Sequence, residues 1–151
     1  MLKITGYTFL AAAFCGVLIF ALNRPAQSES INTLLATADA DAGKALSSKC
    51  TGCHTFDKDG AEKMGSNLWN IVNSSYAHKD GFKYSDALKD LNGKKKWTYE
   101  ELDGFIASPK AHVPGNKMSM FGGVKDGKDR ANLIAWMRMQ ADTPAALPAA
   151  K

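Results

Sequence analysis

The segment Cys50-Thr51-Gly52-Cys53-His54 sets two thiols three positions apart and puts an imidazole directly after the second. Paired cysteines can hold zinc, cycle as a redox dithiol, or anchor a larger group. A zinc site needs four nitrogen or sulfur ligands from the protein, or three when it is catalytic. The other histidines, His78 and His112, are far apart and lack the spacing of a second pair, and Cys15 lies in an apolar N-terminal run. A thioredoxin-like dithiol needs a βαβ context, which the chain lacks. Cys-x-x-Cys-His reads instead as covalent attachment of a c-type haem. Cys50 and Cys53 add to the two vinyl groups, and His54 meets the iron from the proximal side.

Iron held by one histidine keeps a second axial position. A methionine there raises the potential and suits electron transfer. Of the six methionines, Met1 is the start and Met64 is too close to the attachment site to reach round the ring. Met137 and Met139 fall on or beside a C-terminal helical pattern and read as packing residues. Met118 and Met120 remain, in HVPGNKMSMFGG. Pro114-Gly115 makes a turn, so both follow in a loop that can lay a thioether against iron. Residue type alone leaves the two open.

The elements that must position these groups read as mostly α. A helix runs into CTGCH with Asp41 as its cap, and a brief one is expected near Asn67–Asn73. Ser85 or Asp86 starts another, stopped by Asn92-Gly93. Thr98 and Glu101 have capping-box spacing and open a helix through Ile106 that Pro109 ends. The last runs from about Lys128 to Gln140, with Leu133, Ile134, Trp136 and Met137 to one side. Four or five helices joined by long loops give a thin core, and a large apolar group can supply the missing interior. The 151 residues suit one globular domain. Residues 39–142 carry 16 basic and 14 acidic groups, a net of +2, too balanced to suggest nucleic acid. With only Cys50 and Cys53 outside the apolar run, no disulfide framework is available.

Residues 4–22, ITGYTFLAAAFCGVLIFAL, are uncharged. As a helix they would span about 28 Å, close to the ~30 Å hydrocarbon core. The run exceeds a secretory apolar region and has no small-x-small site just after it. The expectation is therefore an uncleaved membrane anchor over residues 1–22. A tether over 23–40, a domain over 41–142 and a tail over 143–151 would follow.

From about Asp41 to Gln140 the chain resembles class I cytochrome c. The resemblance rests on CTGCH, MGSNL (64–68), GFKYSDALKDLNGKKKWTYEEL (81–102), SPKAHVPGNKM (108–118) and NLIAWM (132–137), in matching order and spacing. It implies an all-α fold of helices and long loops around one covalent haem. It makes Met118 the second axial ligand. The carbonyl of Ser66, where most relatives have proline, would accept the His54 imidazole N–H. Tyr84 and Trp97 would hydrogen-bond a haem propionate, and Phe105 replaces a common tyrosine near the methionine sulfur. Asn73-Ser74 stand where the family often has Gly-Arg. Gly43 is one position displaced from the family's N-terminal helix glycine.

Together with the anchor, the resemblance implies a membrane-attached bacterial cytochrome c and no enzymatic activity. It would carry single electrons in a respiratory chain from the quinol–cytochrome c oxidoreductase to a haem-copper oxidase, on the periplasmic side of the inner membrane. Lys49, Lys63, Lys110 and Lys117 match positions ringing the docking face. The rival readings are an electron-transfer module of one periplasmic dehydrogenase, and a haem-based peroxidase or gas sensor.

Overall fold

The computed structural model describes residues 29–148 and places seven helices among them. They are α1 (Ile31–Leu35), α2 (Ala40–Leu46), α3 (Ser48–Thr51), α4 (Asp86–Lys89), α5 (Tyr99–Ala107), α6 (Pro109–His112) and α7 (Gly127–Met139). Among the described residues there is no β-strand, only an isolated bridge between Ser75 and Lys96.

Most starts are capped by a side-chain oxygen that accepts an otherwise unpaired N–H. Asp39, not Asp41, caps α2 by accepting from the backbone N–H of Asp41 and Ala42. Asp41 sits inside the first turn, where its charge complements the helix dipole. Ser85, Thr98 and Asp126 cap α4, α5 and α7. The expected helix at 67–73 is not formed. Asn70 and Asn73 take φ of 59° and 65°, left-handed values that interrupt any helix.

Helix α2 crosses α7 at Gly43, where a Cβ would collide with the carbonyl of Asn132 and come within 2.9 Å of Trp136 Cβ. The displaced glycine thus still occupies the crossing. Leu133 and Ile134 are fully buried on α7, and Phe56 packs edge-on to Trp136 at 4.7 Å.

The span expected over 4–22 lies outside the described residues. Among those described, no helix is long and apolar enough to cross a membrane. The tether expected over residues 23–40 does not run free to residue 40. Ser30 caps α1, and Ile31 and Leu35 are buried in the core at 5% and 1% exposure. Asn32 Nδ2 also donates to Glu100 Oε1 at 2.7 Å. The apolar spacing Ile31/Leu35 is one helical turn, enough to bind this piece to α5 and α7. The tail is likewise docked as far as it is described. Tyr99 donates to the Ala146 carbonyl at 3.0 Å and Arg138 to the Ala145 carbonyl at 2.9 Å.

Candidate haem site

Helix α3 carries Cys50, and the turn after it carries Cys53 and His54. The backbone N–H groups of Cys53 and His54 both donate to the Cys50 carbonyl, at 3.0 and 2.9 Å, which closes the motif on itself. The two thiols are free and half-buried. Burial, reinforced by Cys53, pushes the Cys50 thiol up to about 11 despite nearby Lys49. A redox dithiol works through a lowered thiol, so this environment argues against that alternative. Zinc finds no support either: among the described residues no three of His, Cys, Asp and Glu gather closely enough to hold a metal ion.

His54 Nδ1 donates to the Ser66 carbonyl at 2.6 Å. Burial lowers the pKa of the ring, against the opposing pull of that bond, and favours the neutral imidazole that iron requires. With Nδ1 committed, Nε2 is left to face a metal. The acceptor is firmly held. Asn67, fully buried beside Ser66, donates from Nδ2 to Thr55 Oγ1 at 2.7 Å and to the Asp57 carbonyl at 3.0 Å. Its own backbone N–H donates to Glu62 at 2.7 Å. Gly65 provides the space: a Cβ there would come within 2.5 Å of His54 Nε2 and 2.6 Å of Nδ1.

The methionines separate by burial. Met120 is 93% exposed and Met64 81%, whereas Met118 is half-buried and packs against the core. Gly115, at φ 86°, makes the turn after Pro114. Asn116, 5% exposed, then clamps the loop. Its Nδ2 donates to the carbonyls of Pro109 and Val113 at 2.8 and 2.6 Å, and its Oδ1 accepts the Met118 N–H at 2.6 Å. Sequence reasoning passed over Asn116 and Gly65, though both lie inside the motifs PGNKM and MGSNL.

Trp97 is buried and held at both ends of its backbone, donating to the Ser74 carbonyl and accepting from Asn73. Asn73 itself takes a left-handed backbone, with φ 65°. Tyr84 is half-buried and its hydroxyl accepts from the Lys79 N–H at 3.4 Å. Phe105 packs edge-on to Trp97 at 4.9 Å. Lys49 and Lys110 are exposed. Lys63 and Lys117 are exposed too, but their ammonium groups are tied down, to the Thr51 carbonyl and the Lys83 carbonyl respectively, both at 2.7 Å.

These residues fit a covalent haem. Two unpaired thiols precede a histidine whose outer nitrogen is fixed by a carbonyl, and a clamped loop holds one methionine half-buried against the core.

The comparisons with known proteins agree. The family model for cytochrome c matches residues 40–141. A cytochrome c homolog of Bradyrhizobium diazoefficiens is 39% identical over 126 residues, 83% of this chain and 67% of that protein. The cytochrome c-type cyt cy of Rhodobacter capsulatus is 44% identical over 102 residues, 67% of this chain and 49% of that protein. The chain therefore matches about two thirds of the length of the first relative and about half of the second. Among solved structures, cytochrome cH from Methylobacterium extorquens superposes with a TM-score of 0.61 at 34% identity, covering 68% of this chain and 99% of that one.

Proposed function

The chain belongs to the cytochrome c family and carries electrons on a single covalent haem c, and from that premise we propose that it is membrane-anchored and works in a respiratory chain. In this reading it takes electrons from the quinol–cytochrome c oxidoreductase and passes them to a haem-copper terminal oxidase.

The observation that carries the reading is the pair of held ligand candidates: Met118, half-buried against the core with its backbone clamped by Asn116, and the motif histidine His54, fixed by Ser66. Cys50 and Cys53 would hold the haem, and His54 and Met118 would occupy both axial positions. Tyr84 and Trp97 would hold a propionate. When bound, the haem supplies one reversible one-electron couple. The chain's task is to keep its ligands still. The Asn67 and Asn116 networks do this by fixing the backbone on either side of the site, so little has to rearrange between oxidation states. With His54 and Met118 on the iron no substrate would have a place to bind, which would make the protein a carrier and not an enzyme.

Residues 4–22 would anchor the protein in the bacterial inner membrane with the cytochrome domain on the periplasmic side. Seven residues, 23–29, then separate the anchor from the α1 cap Ser30. Fully extended they reach about 23–25 Å, against roughly 60 Å for a tether running to residue 40. The domain would stay beside the membrane at a high effective concentration for a neighbouring complex. Among the described residues no carbonyl holds the ammonium groups of Lys49 and Lys110, and as docking lysines these two would favour acidic partner faces.

The test follows haem absorbance in native membranes after a quinol is added, with and without an inhibitor of the quinol–cytochrome c oxidoreductase, before oxygen is admitted. Inhibitor-sensitive reduction followed by rapid reoxidation supports the reading. Reduction that ignores the inhibitor moves the donor to a dehydrogenase, and a haem that stays oxidised reopens the peroxidase or sensor readings. Deleting residues 1–22 should also impair this route.

A further inference from the structure

Glu101 lies outside every group assigned above, yet three donors converge on its carboxylate. Tyr76 Oη and His112 Nε2 reach Oε2 at 2.6 and 2.7 Å, and Lys95 Nζ reaches Oε1 at 2.8 Å. The side chain is 23% exposed. Glu101 has the spacing of a capping box, but only half of the box forms: its N–H donates to Thr98, while its carboxylate turns away to these three partners.

The site is built for the contact. Gly104 stands in the middle of α5, where glycine costs about 1 kcal/mol relative to alanine. A Cβ there would come within 2.5 Å of His112 Nδ1 and 2.6 Å of Cε1. The glycine makes the niche in which the imidazole lies over the helix and reaches Glu101. Tyr76 is fully buried, and burial together with the Glu101 bond pushes its phenol well up, so it remains a donor.

Two contact paths leave the carboxylate. Through Tyr76 it reaches Trp97, because the two rings stack at 3.8 Å and 11°. Through His112 it reaches α6, whose first residue and following Val113 offer the carbonyls that Asn116 uses to hold the Met118 backbone. We propose that Glu101 is a positioning residue for the redox centre, its carboxylate joining the Trp97 side, through the Tyr76 stack, and the Met118 loop, through the His112 hydrogen bond, into one unit. The proposal rests on the assignment of Met118 as an iron ligand. Lys95, 46% exposed, is the outer arm: its ammonium lies on neither side-chain path, and its tie to Tyr76 is its backbone carbonyl, which accepts the Tyr76 N–H at 3.2 Å and survives a change of side chain.

The experiment uses the full-length holoprotein. It follows the methionine–iron charge-transfer absorption of the oxidised form during heating, alongside helicity and the reduction potential. In Glu101→Gln the absorption is expected to vanish at a lower temperature relative to the loss of helicity than in the parent, with a shifted potential. Lys95→Gln should leave that interval and the potential unchanged. Gly104→Ala, which keeps Glu101 and crowds His112 away, should reproduce the Glu101→Gln separation and serves if the first variant does not fold. If absorption and helicity fall together by equal amounts in both variants, and the potential stays put, Glu101 is only a structural brace and the proposal is overturned. Met118→Ala separates the two levels. Should it keep the absorption, the ligand assignment fails and takes the proposal with it. Should it lose the absorption while the Glu101 and Gly104 variants behave as the parent, only the proposal fails.

Discussion

His54 Nδ1 and the carbonyl oxygen of Ser66 stand 2.6 Å apart, and Gly65 between the motif and that carbonyl leaves no room for a side chain. Gly65→Ala should push the imidazole off its acceptor. Leaving those buried groups unpaired costs about 1–3 kcal/mol. The ring also loses the electron density that the bond lends it, so the reduction potential should rise. Denaturant titration and redox titration of the holoprotein check the two effects, and a variant with parental values in both would show that the loop simply shifts.

Met118 and Met120 are chemically equal and differ in placement. Met118→Ala should abolish the methionine–iron absorption and lower the potential by more than ~60 mV, the one-electron equivalent of a tenfold change. Met120, 93% exposed, should tolerate alanine without either effect. Visible spectroscopy of the two variants decides, and the reverse pattern would exchange the ligands.

Leu35 is 1% exposed in a stretch that reads as linker. If α1 is part of the domain, Leu35→Ala costs about 2–4 kcal/mol. A free tether would show less than ~0.5 kcal/mol. The denaturation midpoint of the holoprotein distinguishes these.

Ala77 holds φ at 51°, a left-handed value that costs a side-chain-bearing residue about 1–2 kcal/mol. Glycine removes that strain but adds freedom to the unfolded chain. Ala77→Gly is therefore expected to stabilise the protein by about 0.5–1 kcal/mol, measured by thermal unfolding. A loss of stability would mean the methyl group makes packing contacts worth more than the strain.

Burial pushes the Glu101 carboxyl up, but Lys95, Tyr76 and His112 outweigh it and hold it at about 2, against 4.5 for an ordinary glutamate. Between those values the unfolded chain binds the proton more readily, so stability rises with pH. The contribution is present above about pH 4.5 and lost as pH falls towards 2. With allowance for screening at a partly exposed group, it amounts to about 2–3 kcal/mol. Parent and Glu101→Gln should differ by that much near neutral pH and converge in acid. A gap that stays constant with pH would assign the loss to packing instead of charge.

How much of this was legible in the chain varies with the range of the forces involved. Cys50, Cys53 and His54 could be read directly, because thioether attachment and the proximal nitrogen depend on spacing within five residues. The caps at Ser85 and Thr98 and the turn at Pro114-Gly115 are equally local, and the structure contains them. Even there the cap of α2 moved from Asp41 to Asp39, since two carboxylates of equal propensity are offered and Asp39 has the extended backbone of a cap while Asp41 lies within the first turn. The missing helix at 67–73 shows a stronger limit. Asn67 turns inward to Thr55 and Asp57, and two asparagines accept left-handed backbone to let it do so. No helical propensity term contains that demand.

The sequence by itself determined the attachment chemistry, the helical class and the set of axial candidates, because each is written in residue type and short spacing. Only the tertiary structure decided that Met118 is half-buried while Met120 is exposed, that α1 belongs to the body, that Lys63 and Lys117 are tied down, and that Glu101 abandons its cap for three other partners. Those outcomes rest on contacts between groups well separated in the chain, 12 positions for Lys63 and Thr51, 25 for Tyr76 and Glu101, 34 for Lys117 and Lys83 and 68 for Asn32 and Glu100. Such contacts, and the burial that makes polar groups find partners, exist only once the chain has closed around its core.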